Sequence, residues 1–321
     1  MKRLLGHLLR LGIGGAGLLY AFWGVDLGEL AAVLGRYDPI AILGVLFLSG
    51  LLFVYIGYRL SLLAHGKFGT RAGTLGSVVC HGVNNMLPTK LGELAKAIYL
   101  SHHGNLSRAE ALGVVFWERF LDLNAVLAVG LVPVALIGHE ALLWPLALAL
   151  LGFWTALLIF ARWKQLPRRL IGLFPFERLR TFLLELHAHV DDRLAPGFLL
   201  LGAGHTALLW LLFIAQTLLT LYWVAGLEIT PPQGVIVFVV TSLGMAIPST
   251  PGALGVFEAA VVLSLGWFGV PKEEALGAAV VMHMIEFVPT VLLTLWLLAR
   301  EDLGLGALWR RREGRGPDQA P

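Results

Sequence analysis

Six segments of this chain are continuously apolar over about 20 residues or more: 4–24, 38–64, 107–137, 140–161, 198–226 and 273–300. No other feature constrains the fold as much. A helix of that length matches the hydrocarbon thickness of a bilayer. Only helices and closed barrels satisfy every backbone N–H and C=O in lipid. Barrel strands would alternate in polarity over about ten residues, and these segments do not alternate. The chain is therefore expected to be an all-α integral membrane protein. Composition agrees: 57% of the 321 residues are hydrophobic and 14% are charged, where soluble domains carry about 25% charged residues.

Two further apolar stretches are interrupted. Residues 73–103 break at Met86-Leu87-Pro88, and residues 233–267 break at Ile247-Pro248-Ser249-Thr250-Pro251-Gly252. Each piece has about 15 residues, roughly 22 Å of helix, and is too short to cross alone. Each stretch is one broken span or a re-entrant hairpin of two half-helices. Basic residues, which collect on the cytoplasmic side, decide between the two. The segment 162–196 holds Arg162, Lys164, Arg168, Arg169, Arg178, Arg180 and Arg193. A hairpin at 73–103 puts this segment, the N-terminus (Lys2, Arg3, Arg10) and the tail (Arg310, Arg311, Arg312, Arg315) on one side. Only Arg36 and Lys272 are then left in external loops. The expectation is six full spans plus two re-entrant hairpins, in the cytoplasmic membrane, with both termini cytoplasmic.

On this reading residues 1–304 form the membrane domain, and 305–321 form a disordered cytoplasmic tail rich in polar residues, Gly and Pro. Within 162–196, Leu179, Phe182, Leu183, Leu186, Val190 and Leu194 recur at helical spacing. They describe an amphipathic helix on the cytoplasmic face or a linker helix packed on the bundle. Lys2 and Arg3 before an apolar run resemble a signal peptide, but Arg10 interrupts the run and no A-x-A site follows; a retained first helix is expected. The basic residues cluster at segment ends, as topology requires, so the net charge of +3 does not point to nucleic acid. Cys80 is the only cysteine, which excludes an intramolecular disulfide and a cysteine metal cluster. His102-His103 and His187-x-His189 lack partners at metal spacing. No metal site and no cofactor are expected.

The two broken stretches are related. Pro88 and Gly92 align with Pro248 and Gly252, and Glu110-Ala111-Leu112-Gly113 recurs as Glu274-Ala275-Leu276-Gly277. In the latter register Arg119 falls on His283 and Asp122 on Glu286. The repeat unit is span, broken hairpin, span, over about 38–137 and 198–300. The one span between the units, 140–161, turns the second upside down. Inverted repeats with discontinuous helices are a transporter design with its site between the repeats.

The polar residues concentrate at the breaks. Thr89 can cap the half-helix after the first break, and Thr250 that after the second, with Pro251 in its first turn. Such helix starts bind anions, and Lys90 adds a full positive charge. Glu93 lies one turn past Lys90, and Lys96 one turn past Glu93. The three form a self-neutralising ladder, or Lys96 snorkels to the surface, or they serve a substrate. Asn84 and Asn85 satisfy the unwound backbone or contact a headgroup. Glu118, Arg119 and Asp122 are three charges within five residues, too costly to face lipid. They are a structural ion cluster or, with Arg119 as anion ligand oriented by Asp122, part of the site. Glu258, His283 and Glu286 are the second repeat's counterparts, and His283 could couple protons. Polar residues within membrane segments are expensive and usually functional.

The order N-x-x-P-x-K-x-G-E at Asn85–Glu93, E-R-x-x-D at Glu118–Asp122 and P-G-x-x-G-x-x-E at Pro251–Glu258 resembles the flippase-like family. That family is also called the lysylphosphatidylglycerol synthase transmembrane-region family. The resemblance covers about 10–300. It implies a polytopic lipid-handling protein, because a related membrane domain in multiple peptide resistance factors moves aminoacylated phosphatidylglycerol between leaflets. Synthesis there belongs to a separate soluble domain, for which this chain leaves no room after its last span, so no enzyme activity is expected. Lys90 and His283 stand where the family often has Arg, which leaves the headgroup identity open.

The expected function is a lipid flippase or transporter for a polar, anionic phospholipid headgroup. The candidate substrate-binding residues are Asn84, Asn85, Thr89, Lys90, Gly92, Glu93, Arg119, Thr250, Gly252 and Glu258. Pro88, Glu118, Asp122, Pro248, Pro251, Gly255, His283 and Glu286 are assigned structural or coupling roles. The alternatives are a secondary transporter for a small anion, and a membrane subunit of a soluble lipid-modifying enzyme. Membrane phospholipid is the expected partner, with a soluble enzyme or a second copy as further candidates.

Overall fold

The computed structural model describes residues 2–87, 91–137, 140–162, 165–173, 176–191 and 194–300. Among them there are thirteen α-helices and no strand, as the apolar segments predict. In chain order they are α1 (Lys2–Phe22), α2 (Leu27–Gly35), α3 (Pro39–Leu63), α4 (Thr70–Met86), α5 (Gly92–His103), α6 (Arg108–Ile137), α7 (Glu140–Arg162), α8 (Gln165–Gly172), α9 (Glu177–Asp191), α10 (Pro196–Leu219), α11 (Pro231–Ala246), α12 (Val256–Gly266) and α13 (Lys272–Arg300). Capping residues set several boundaries. Asp26 accepts the backbone N–H groups of Gly28 and Glu29 at the start of α2. Asp38 accepts that of Ile40 at the start of α3, where Pro39 opens the helix.

Each of the six predicted spans is a helix. Among the described residues, Pro39–Leu63, Pro196–Val224 and Lys272–Arg300 are long and apolar enough to cross a membrane. A fourth is reached if Leu8–Phe22 and Leu27–Gly35, bent by 82° at their junction, are taken together. In α7 the apolar stretch is the shorter Ala147–Ile159. α6 carries Glu110, Glu118, Arg119 and Asp122 in its first half.

Both interrupted stretches are pairs of short helices, and each break opens where the sequence puts it. α4 and α5 pack on each other across 87–91, and α11 and α12 across 247–255. Long helix, two short helices, long helix is thus the order in α3–α6 and again in α10–α13. Each set builds its own core. Leu60, Leu100, Val114 and Trp117 meet in the first; Val237, Val261, Leu265 and Leu276 meet in the second. The sets join where α4 packs on α13, and α3 on α10. α1 belongs with the second set, lying against α12.

Small residues permit these approaches. A Cβ on Gly57 would lie 2.3 Å from the Thr74 backbone nitrogen, and one on Gly73 would lie 2.4 Å from the Gly57 carbonyl. No side chain fits there, so α3 and α4 touch backbone to backbone, as small residues allow in membrane helices. α9 packs on α6 and turns Leu186 and Val190 into the first core. Residues 177–191 are thus helical, as their spacing predicts, and the helix packs on the bundle. The tail 305–321 lies outside the described residues.

Candidate functional site

At the first break, α4 ends at Met86 and α5 starts at Gly92. Asn84 turns back to cap the new helix: its Oδ1 accepts the Gly92 N–H at 2.8 Å. Only glycine fits there, because a Cβ on residue 92 would lie 2.1 Å from the Cys80 carbonyl. Asn85 donates to Thr290 Oγ1 at 3.0 Å and ties the break to α13. The two asparagines thus serve the unwound backbone and the helix contact. Pro88, Thr89 and Lys90 lie outside the described residues.

The second break is longer than its sequence suggests. Thr-Pro-Gly at 250–252 predicts a helix starting there with Thr250 as cap. Instead Pro251–Ala253 is a single 3-10 turn, and α12 begins at Val256. Gly252, Ala253 and Gly255 all have positive φ (63°, 56° and 89°), a left-handed backbone that cannot continue a right-handed helix. The Thr250 hydroxyl donates to the Leu254 carbonyl within the turn. Glu258 caps the true start, accepting the Gly255 N–H at 2.6 Å.

His283 of α13 closes this second structure. Its Nδ1 lies 2.7 Å from Glu258 Oε1, and its Nε2 lies 2.9 Å from the Gly252 carbonyl. Both neighbours are hydrogen-bond acceptors unless the carboxyl is protonated. To satisfy both contacts, the ring and the carboxyl must hold two protons between them. Phe257 stacks on the imidazole at 4.5 Å. The pair clamps α12 and α13 around the break.

Behind the first break lies an ion network of three cations and three carboxylates. Lys96 Nζ stands 2.5 Å from Glu118 Oε2 and 3.1 Å from Glu93 Oε2. Arg59 of α3 grips Asp122 with both terminal nitrogens, at 2.6 and 3.2 Å, and also donates to Thr206 of α10. Trp210 donates to Asp122 as well. Arg119 reaches Glu93 at 3.3 Å, Glu118 at 3.3 Å and Asp122 at 3.5 Å. Arg59, Lys96 and Glu118 are essentially sealed from solvent, so each charge requires its partner. Lys96 does not snorkel: its stem and ammonium both point inward, because Glu118 offers a buried counter-ion. Arg119 is different. Its side chain is 46% exposed although three carboxylates surround it.

The exposed side of Arg119 faces a cavity of about 560 Å³. This cavity unites the two breaks. Asn84, Asn85 and Leu87 come from the first, and 247–250 with Gly252 and Ala253 from the second. Glu93 and Arg119 stand on one wall, His283 and Glu286 on another. His81 Nε2 lies 3.8 Å from Glu286 Oε1. Nine of the fifteen described site residues expected from the sequence line it: Asn84, Asn85, Glu93, Arg119, Pro248, Thr250, Gly252, His283 and Glu286. Glu118 and Asp122 stand behind Arg119 and orient it, and Glu258 holds His283.

The same pairing occurs in both halves. An acid in the first turn of the second short helix meets the basic residue of the long helix that follows: Glu93 with Arg119, and Glu258 with His283. Sequence reasoning missed Arg59, His81 and the cavity role of Arg10, and it did not find the inward turn of Lys96. Arg59 had a usable signal, being the only charge in the 25 residues of α3.

The family described as Lysylphosphatidylglycerol synthase TM region matches residues 7–294. No curated protein matches the chain.

Proposed function

We propose a function from one premise: the chain belongs to the lysylphosphatidylglycerol synthase transmembrane-region family. Membership ties this membrane protein to phospholipid biology. Our reading is that it moves phospholipid between leaflets, passing the headgroup through the cavity that joins the two breaks. The observation that carries the reading is Arg119, which presents a half-exposed guanidinium to that cavity while a buried ion network holds it from behind. A guanidinium recognises phosphate with two parallel hydrogen bonds.

In this reading the two helix sets are inverted repeats, and the cavity lies between them. The helix starts take a smaller part than the sequence suggests, because Asn84 and Glu258 each occupy one of their N–H groups. The phosphate ligand is Arg119, with Lys90 as a second cation assigned from sequence alone. Glu93 and Glu286 balance its charge or meet a cationic part of the headgroup. We place the protein in the cytoplasmic membrane with both termini cytoplasmic, and assign it transport rather than synthesis.

The test is reconstitution of the full chain into vesicles containing headgroup-labelled phosphatidylglycerol. Protein-dependent exchange of label between leaflets is expected. Uptake of soluble glycerol 3-phosphate without any lipid exchange would replace this reading with a small-anion transporter.

A further inference from the structure

Arg119 and Glu93 line two cavities, not one. The second is a cleft of about 810 Å³ bounded by α6, α7, α8 and α9. Apart from Glu93, Arg119 and His187 its walls are apolar, with Val115 and Phe120 from α6, Leu157 from α7, Ile171 from α8, and Leu186 and Val190 from α9. Among its described lining residues, Arg119 and Glu93 are the Arg, Lys, Asp or Glu side chains present. The cleft is open along its side, because Phe116, Leu123 and Phe153 line it and are exposed. A polar chamber and an oily slot thus meet at one guanidinium.

That junction has the polarity of a phospholipid. We propose that the cleft seats the acyl chains of a bilayer phospholipid while its phosphate meets Arg119 and its headgroup enters the polar cavity. The occupant follows from two features. A small soluble anion would use the polar chamber and leave the apolar slot without purpose. A purely apolar guest would not need Arg119 at the mouth, where a guanidinium favours an anionic group. The volumes of both spaces fall in the range of built ligand sites, about 300–1,000 Å³. The assignment rests on the lipid-transport reading for the class of substrate. It adds where the chains go and which helices hold them.

Photo-labelling tests it. The full chain in mixed micelles would be exposed to phosphatidylglycerol carrying a diazirine at the end of one acyl chain. Cross-links are expected at Val115, Leu157 and Leu186, saturable and removed by excess unlabelled phosphatidylglycerol but not by glycerol 3-phosphate. Leu186→Trp and Ala156→Trp, which narrow the slot from opposite walls, should each cut that labelling by about tenfold, the effect of a modest loss of affinity. Label spread evenly over the lipid-facing helices, without saturation, overturns the seat; so does undiminished cleft labelling in both variants. Headgroup exchange in vesicles separates the two ideas. Exchange with unsaturable tail labelling removes the seat and leaves transport standing. Saturable cleft labelling without exchange keeps the seat and removes transport.

Discussion

Lys96 of α5 and Glu118 of α6 form a fully buried ion pair with their charged atoms 2.5 Å apart. The pair joins the second arm of the first hairpin to the long helix that carries Arg119. A charge stranded in such a place is costly, and removing one partner of a buried pair typically costs about 3–5 kcal/mol. Lys96→Met should therefore destabilise the protein by an amount near the lower end of that range, since Arg59 and Arg119 still face Glu118. Lys96→Met with Glu118→Gln should recover much of the loss. Thermal unfolding in detergent reads both, and a strictly additive double variant would refute the coupling.

Arg59 and Asp122 make a second prediction. Their two-pronged contact needs the flat fork of a guanidinium, which a lysine cannot supply. Arg59→Lys should keep the charge but lose stability by about 1.5–3 kcal/mol, the scale of a hydrogen bond to a charged group. An unfolding midpoint equal to wild type would show that the fork geometry is irrelevant.

The close contact of α3 with α4 gives a third. A side chain on Gly57 has nowhere to go, as its Cβ alone would fall 2.3 Å from a backbone nitrogen. Gly57→Val should cost at least the ~1–3 kcal/mol of ordinary overpacking and lower the folded yield. Gly50 lies two turns earlier on the same helix, and a Cβ there would meet nothing within 4 Å. Gly50→Ala should be tolerated, and equal losses at both positions would contradict the contact.

Glu258 and His283 give a fourth. The amide of Glu258→Gln can still accept from Gly255 and can donate to His283, so every hydrogen bond survives with a neutral ring. Glu258→Leu strands the Gly255 N–H and an imidazole nitrogen, each costing about 1–3 kcal/mol. The glutamine variant should unfold close to wild type and the leucine variant well below it. If the two variants unfold together, the bonds drawn around His283 are not those that hold the break.

Sequence and structure agree most where the signal is local. Apolar length alone marks all six long helices, and Pro88 with Pro248 marks both breaks. Three charges in five residues mark Glu118, Arg119 and Asp122 as inward-facing. The misplaced start of α12 has a physical cause. Thr250-Pro251-Gly252 has the composition of a helix start, but Gly252, Ala253 and Gly255 take left-handed backbone, and at Gly255 α1 comes so close that the Gly14 carbonyl leaves no room for a Cβ. The pairing of Asp122 is equally illegible: the lone charge of α3 marks Arg59 as inward-facing, but its partner lies 63 positions away. The apolar cleft is hidden for another reason. Most of the residues that line it are of the apolar types that also fill a core, so no local pattern separates a cleft wall from a packed one.

The proposed phosphate ligand, Arg119, can be tested directly. Headgroup-labelled phosphatidylglycerol exchange should be measured for Arg119→Ala and Arg119→Lys in vesicles, beside their unfolding midpoints. Arg119→Ala should stay folded, because its side chain is half-exposed, and should lose exchange by about tenfold or more, as expected when a charge-assisted phosphate contact of about 1.5–3 kcal/mol is removed. Arg119→Lys should fall between. Folded Arg119→Ala that exchanges lipid at the wild-type rate would contradict that role.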